Sequence, residues 1–133
     1  MRIWKRVLFF FVGGLLYVAL ELCWRGRSHY SMFLLGGLCF VCLDVIGASR
    51  FSFLTQMFLG VVVIVCLELM AGIVLNRMLG LGVWDYSGLP YHFMGQICLN
   101  YALLWVPVSA GGLLAALGLR RLLGEAPAPI RWV

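Results

Sequence analysis

Charged side chains make up only 11% of this 133-residue sequence, and just five residues are acidic. A soluble domain carries roughly 25% charged residues and 45–50% apolar ones, whereas 64% of this chain is hydrophobic. So few charges cannot cover a water-exposed surface. A very apolar cytosolic helical protein is disfavoured as well, because the apolar windows approach the ~20 residues needed to cross a bilayer. Other absences narrow the chemistry. There is no H-E-x-x-H, no nucleotide-binding loop and no evident nucleophile motif. No arginine-rich stripe lies on a polar helix, which argues against nucleic acid as a partner. Cys39 and Cys42 form a C-x-x-C, but in apolar surroundings without a second pair they read as small buried side chains. A metal site built from His29, His92 and a carboxylate would rest on no recognised spacing, so neither metal nor cofactor is expected.

What remains is an all-α pattern of about four transmembrane helices, a polytopic membrane protein. The predicted spans are Val7–Trp24, Met32–Ser49, Phe51–Asn76 and Phe93–Leu119. The basic start and the apolar run Val7–Leu20 resemble a signal peptide. No A-x-A pattern follows, Glu21 interrupts Leu20-Glu21-Leu22-Cys23, and further spans come after it, so a retained first helix is expected. Residues 1–121 read as one transmembrane domain, and 122–133, with Ala126-Pro127-Ala128-Pro129, as a mobile cytoplasmic tail. Spans two and three meet in a tight hairpin with Arg50 at the water interface. The segment Arg77–His92, with Gly80, Gly82, Gly88 and Pro90, is the one substantial loop.

Lys and Arg fall at the edges of the apolar runs, where they face lipid headgroups and set orientation. With cytoplasmic termini that side holds seven of them (Arg2, Lys5, Arg6, Arg50, Arg120, Arg121 and Arg131), the other only Arg25, Arg27 and Arg77. The asymmetry predicts a cell-membrane protein with both termini cytoplasmic. A faint internal repeat accompanies it. Ala19-Leu20-Glu21-Leu22 is echoed by Cys66-Leu67-Glu68-Leu69, Tyr30-Ser31 by Tyr86-Ser87, and Gly36-Gly37-Leu38-Cys39-Phe40 by Gly95-Gln96-Ile97-Cys98-Leu99. The order suggests two parallel helix-hairpin repeats.

Glu21 and Glu68 carry the most information, because a carboxylate in an apolar span must be paired, neutralised or hydrated. Arg25 follows Glu21 by one helical turn, a spacing that permits a direct pair. Glu68, Gly72 and Asn76 recur at i, i+4 and i+8 and form one stripe. A dense polar segment follows each acidic helix: Arg25-Gly26-Arg27-Ser28-His29 after the first, then Trp84-Asp85-Tyr86, His92 and Gln96 after the third. In the four-span topology all of these share the non-cytoplasmic face. The candidate ligand-binding set is therefore Glu21, Arg25, Arg27, Ser28, His29, Glu68, Asn76, Trp84, Asp85, Tyr86, His92 and Gln96. Planar Arg forks suit phosphate or carboxylate, His29 can carry protons near neutral pH, and a membrane Glu can act as a base of raised pKa. The competing structural reading makes Trp and Tyr an interface belt and Ser31 and Ser87 helix caps. Asp44, deeper in span two, is assigned no site role and needs a partner such as Gln56.

The string Glu21-x-x-Trp24-Arg25-Gly26-Arg27-Ser28-His29-Tyr30-Ser31-Met32, with Gly36-Gly37-Leu38-Cys39-Phe40, resembles the small bacterial membrane proteins of the ABC-transporter permease family, CmpB type. Glu68-x-x-x-Gly72-x-x-x-Asn76, Trp84-Asp85-Tyr86-Ser87 and Gly95-Gln96-Ile97-Cys98 are similar to the same family, so the resemblance covers helix one to helix four. It implies a transport role, and a separate ATPase subunit as partner, since this sequence has no ATP-binding motif. The expected function is a small transport component that binds a lipid headgroup or small anionic solute at the outer face. A membrane-embedded enzyme acting on a lipid or lipid-linked substrate, and a non-catalytic subunit of a larger complex, are the alternatives. Gly13-Gly14, Gly36-Gly37 and Gly111-Gly112 permit close helix contacts and suggest a homo-oligomer.

Overall fold

The computed structural model describes residues 2–26, 30–80, 92–93 and 97–125. Four helices dominate it: α1 (Ile3–Arg25), α2 (Tyr30–Gly47), α3 (Phe53–Gly72) and α4 (Leu99–Leu122). All four are long and apolar enough to cross a membrane, so the chain is an all-helical, multi-pass membrane protein. Between α3 and α4 the described backbone pairs two short antiparallel strands, β1 (His92–Phe93) and β2 (Ile97–Cys98).

Local chemistry sets the helix ends. α1 stops at Gly26, whose φ of 72° places it in the left-handed region that glycine adopts without cost, and whose N–H donates back to the Leu22 carbonyl. At the α2–α3 turn Ser52 caps α3, its Oγ accepting from the Thr55 N–H at 3.3 Å. The amide of Gln56 donates toward the carbonyls of Gly47, Ser49 and Phe51 at 3.5, 3.3 and 3.0 Å. Gln56 therefore ties the hairpin together and is not the partner of Asp44. Arg50 sits exposed at the tip of this turn, as expected.

Two boundaries differ from the sequence expectation. α3 runs on through a π-helical turn, Ile73–Met78, closed by the Leu79 N–H on the Val74 carbonyl at 2.9 Å. Arg77 thus belongs to a helical turn, and of the expected loop residues 81–91 lie outside the described residues. The fourth helix begins at Leu99 because Phe93 and Ile97–Cys98 are extended. The echo between the two hairpins consequently stops short of local conformation: Leu38 and Cys39 are helical in α2, whereas Ile97 and Cys98 form β2.

The helices assemble around α2. Half of its spanning window is buried (50%), against 17–22% for the others, and α2 packs on each of the other three helices. The closest approach is α1 on α2. A Cβ on Gly13 would collide with Phe40 and come within 2.9 Å of the Gly36 carbonyl, and one on Gly36 would collide with Tyr17. Gly14 meets Phe33, Gly37 meets Phe10, and Gly112 meets Leu43. The glycine pairs expected to serve an oligomer are thus used within one chain, and only Gly111 among them faces open space. Aromatic stacking reinforces α1–α2, with Phe9 and Phe40 rings 5.5 Å apart. Many large apolar side chains point outward, among them Leu15, Leu54, Phe58 and Leu104, as a bilayer requires.

Candidate functional site

Ionisable groups gather at opposite ends of the bundle. At the end where α1 begins and α4 finishes, Lys5 Nζ donates to Glu125 Oε1 at 2.7 Å and to the Leu123 carbonyl at 3.1 Å, tying the two helices together. The Lys5 hydrogen bond holds the Glu125 carboxyl below the usual carboxylate range, against a smaller opposing effect of burial. One layer deeper, Asp44 is 2% exposed and receives both arms of Arg120, Nε on Oδ1 at 2.5 Å and Nη2 on Oδ2 at 2.9 Å. A planar guanidinium matches a carboxylate in this two-point fashion. The partner that Asp44 requires is therefore Arg120 on α4, a residue that sequence reasoning had left as a simple membrane flank.

At the other end lies Glu68, 5% exposed on the inner face of α3. Its Oε2 accepts a 2.9 Å hydrogen bond from Trp105 Nε1 on α4. The indole in turn stacks on Tyr17 of α1, ring centroids 5.8 Å apart and 24° from parallel. Three helices are thus linked through one buried carboxylate. Tyr17 is the residue one turn before Glu21, so both acidic helices turn this face toward the same region. Trp105 is not among the residues that the sequence pattern singles out. The available signal was its place well inside span four, where a buried indole N–H needs an acceptor.

The remaining candidates divide plainly. Glu21 and Asn76 are half-buried, the latter in the π-helical turn after the Glu68–Gly72 stripe. Arg25 is the last residue of α1, and the backbone of His92 pairs with that of Cys98. β2 lies beside both α3 and α4. Arg27, Ser28, His29, Trp84, Asp85, Tyr86 and Gln96 lie outside the described residues, as does residue range 126–133. Cys39 and Cys42 are free thiols on α2, and no group of three His, Cys, Asp or Glu capable of holding a metal occurs among the described residues.

Between α1 and α4 the bundle leaves a cavity of about 540 Å³ floored by α2. Tyr17 and Trp105 are part of its lining, and its walls are otherwise almost wholly apolar. Ser109 is fully buried but stands outside this lining, packed toward Gly60 on α3. No curated protein and no solved structure matches the chain. A family model described as Putative ABC-transporter type IV matches residues 7–117, nearly the whole four-helix region, and the chain belongs to that family.

Proposed function

We propose that this chain is a membrane component of a transporter that binds an anionic lipid headgroup or small anionic solute at the end of the bundle bearing Arg25. Arg25, Arg27 and His29 contact the anion, while Ser28, Trp84, Asp85, Tyr86, His92 and Gln96 complete the polar rim. Glu21, Glu68 and Asn76 poise the site from the helices beneath. Both termini are cytoplasmic, the membrane is the cell membrane, and an ATPase is a separate subunit. The single observation that supports this reading best is the buried Glu68 gripped by Trp105 and linked to Tyr17. An apolar span gains nothing from such an acid unless it organises neighbouring polar groups, and it stands at the same end as Glu21 and Arg25.

Arg27→Lys and His29→Gln test the assignment. Lys keeps the charge but loses the planar fork, and Gln keeps hydrogen bonding but takes no proton near neutral pH. The expected result is unchanged thermal stability of the purified protein with loss of the phenotype that deletion produces. Full activity in both variants would remove these residues from the site. A second reading, an enzyme acting on a lipid, is favoured by one feature only, the apolar cavity between α1 and α4. Chemical change of a lipid by the purified chain without any ATPase would establish it.

A further inference from the structure

The gap between α1 and α4 has a blind end and a polar end. Toward the start of α1 and the end of α4 it gives way to the buried cluster of Phe9, Phe40 and Ala116, with Leu119 and Leu123 packed on it. The Lys5–Glu125 contact fastens the same end. Away from the termini, its wall on α1 reaches Cys23, two residues before Arg25. Its lining runs from Gly13 to Cys23 on α1 and from Trp105 to Ala115 on α4. At the α-helical rise of ~1.5 Å per residue each wall is about 15 Å long. That is half of the ~30 Å hydrocarbon core, the depth of one leaflet.

We infer that this groove holds one acyl chain of a lipid drawn from the leaflet at the Arg25 end, an inference that rests on the headgroup reading above for the identity of the polar end. Three observations select this occupant. A small hydrophilic solute gains nothing from walls made almost wholly of carbon. A partner's transmembrane helix would need a groove along the full bilayer, whereas the lining of this one runs only from Gly13 to Cys23 on α1 and from Trp105 to Ala115 on α4. A chain with an anionic head is matched in charge, since α1 ends on Arg25, two residues after Cys23 of the wall. Gly111 and Ala115 on α4 leave the width, a Cβ on Gly111 meeting nothing within 4 Å, and the stacked Tyr17 and Trp105 are part of the lining.

Gly111 gives a clean perturbation. It lines the groove, and a Cβ there meets nothing within 4 Å, so Gly111→Leu starts a side chain into open space of the groove. Gly118 also faces nothing within 4 Å but lies outside the lining, so Gly118→Leu is the control. The full chain is reconstituted in phosphatidylcholine vesicles carrying a trace of phosphatidylglycerol with a photoreactive diazirine at mid-chain, and labelled peptides are mapped. Labelling is expected on residues 13–23 and 105–115, to fall to background in Gly111→Leu, and to persist in Gly118→Leu. Equal labelling of wild type and Gly111→Leu would overturn the groove. So would absence of labelling on those segments in a wild-type chain whose mass in detergent drops from dimer to monomer on Gly111→Leu, which would assign the space to a second copy. The same labelling with a phosphatidylcholine probe and in Arg25→Gln separates the two ideas. Groove labelling indifferent to both leaves the acyl chain in place and overturns the anionic headgroup reading. A preference for phosphatidylglycerol over phosphatidylcholine in vesicle binding, without groove labelling, does the reverse.

Discussion

Removing one member of the Asp44–Arg120 pair leaves the other as an unpaired charge between helices. Asp44 has almost no exposure, and Arg120 retains little, with side-chain values of 2% and 16%. Water therefore cannot take over from the lost partner. Breaking a buried pair in this way costs about 3–5 kcal/mol, and the two-point geometry with Nε and Nη2 places the estimate within that range. Asp44→Asn and Arg120→Gln should each lower the thermal midpoint of the detergent-purified protein steeply. Asp44→Leu combined with Arg120→Met should recover most of the loss, because well-packed apolar side chains replace a buried pair at little or no cost. A double-mutant cycle on unfolding free energy measures the coupling directly. Single-mutant losses below about 1 kcal/mol would mean that the pair behaves as a solvated surface bridge, and the account of how α4 is fixed to α2 would fail. A double variant no better than the singles would refute it equally.

Trp105→Phe keeps an aromatic ring against Tyr17 but removes the indole donor to Glu68; a loss of about 1–3 kcal/mol is expected, with recovery when Glu68→Leu is added, read by thermal unfolding. Gly13→Leu should prevent α1 from seating on α2 and cost about 1–3 kcal/mol or more, whereas Gly111→Leu should leave the melting temperature near that of wild type; the reverse order would contradict the helix packing. Acid should release the contact between the chain ends. The Glu125 carboxyl is depressed in the folded protein, so its contribution is present above the ordinary carboxylate pKa and is lost as pH falls through the lower folded value. The stability difference between wild type and Glu125→Gln should accordingly shrink to nothing in that acid window, as measured by melting curves from neutral pH downward.

Much of the architecture was legible because a bilayer imposes length and hydropathy on each span. The hairpin at Ser49–Ser52, Arg50 at its tip and Glu68 as a residue requiring compensation all follow from local pattern. The sequence also carried the family, through strings such as Arg25-Gly26-Arg27-Ser28-His29. Partners were a different matter. Asp44 finds Arg120 at a separation of 76 residues, and Glu68 finds Trp105 across 37; helical periodicity reaches only to the next turn or two. Gln56 was a reasonable neighbour for Asp44 by proximity along the chain, yet its amide is consumed by the carbonyls of the turn. The glycine pairs announced close packing but not what they would pack against. Whether Gly13 and Gly36 meet each other or another molecule depends on how α1 rotates on α2, which the Phe9–Phe40 stack and the fit of Tyr17 over Gly36 decide. The groove between α1 and α4 likewise exists only in three dimensions, since its lining is drawn from all four helices.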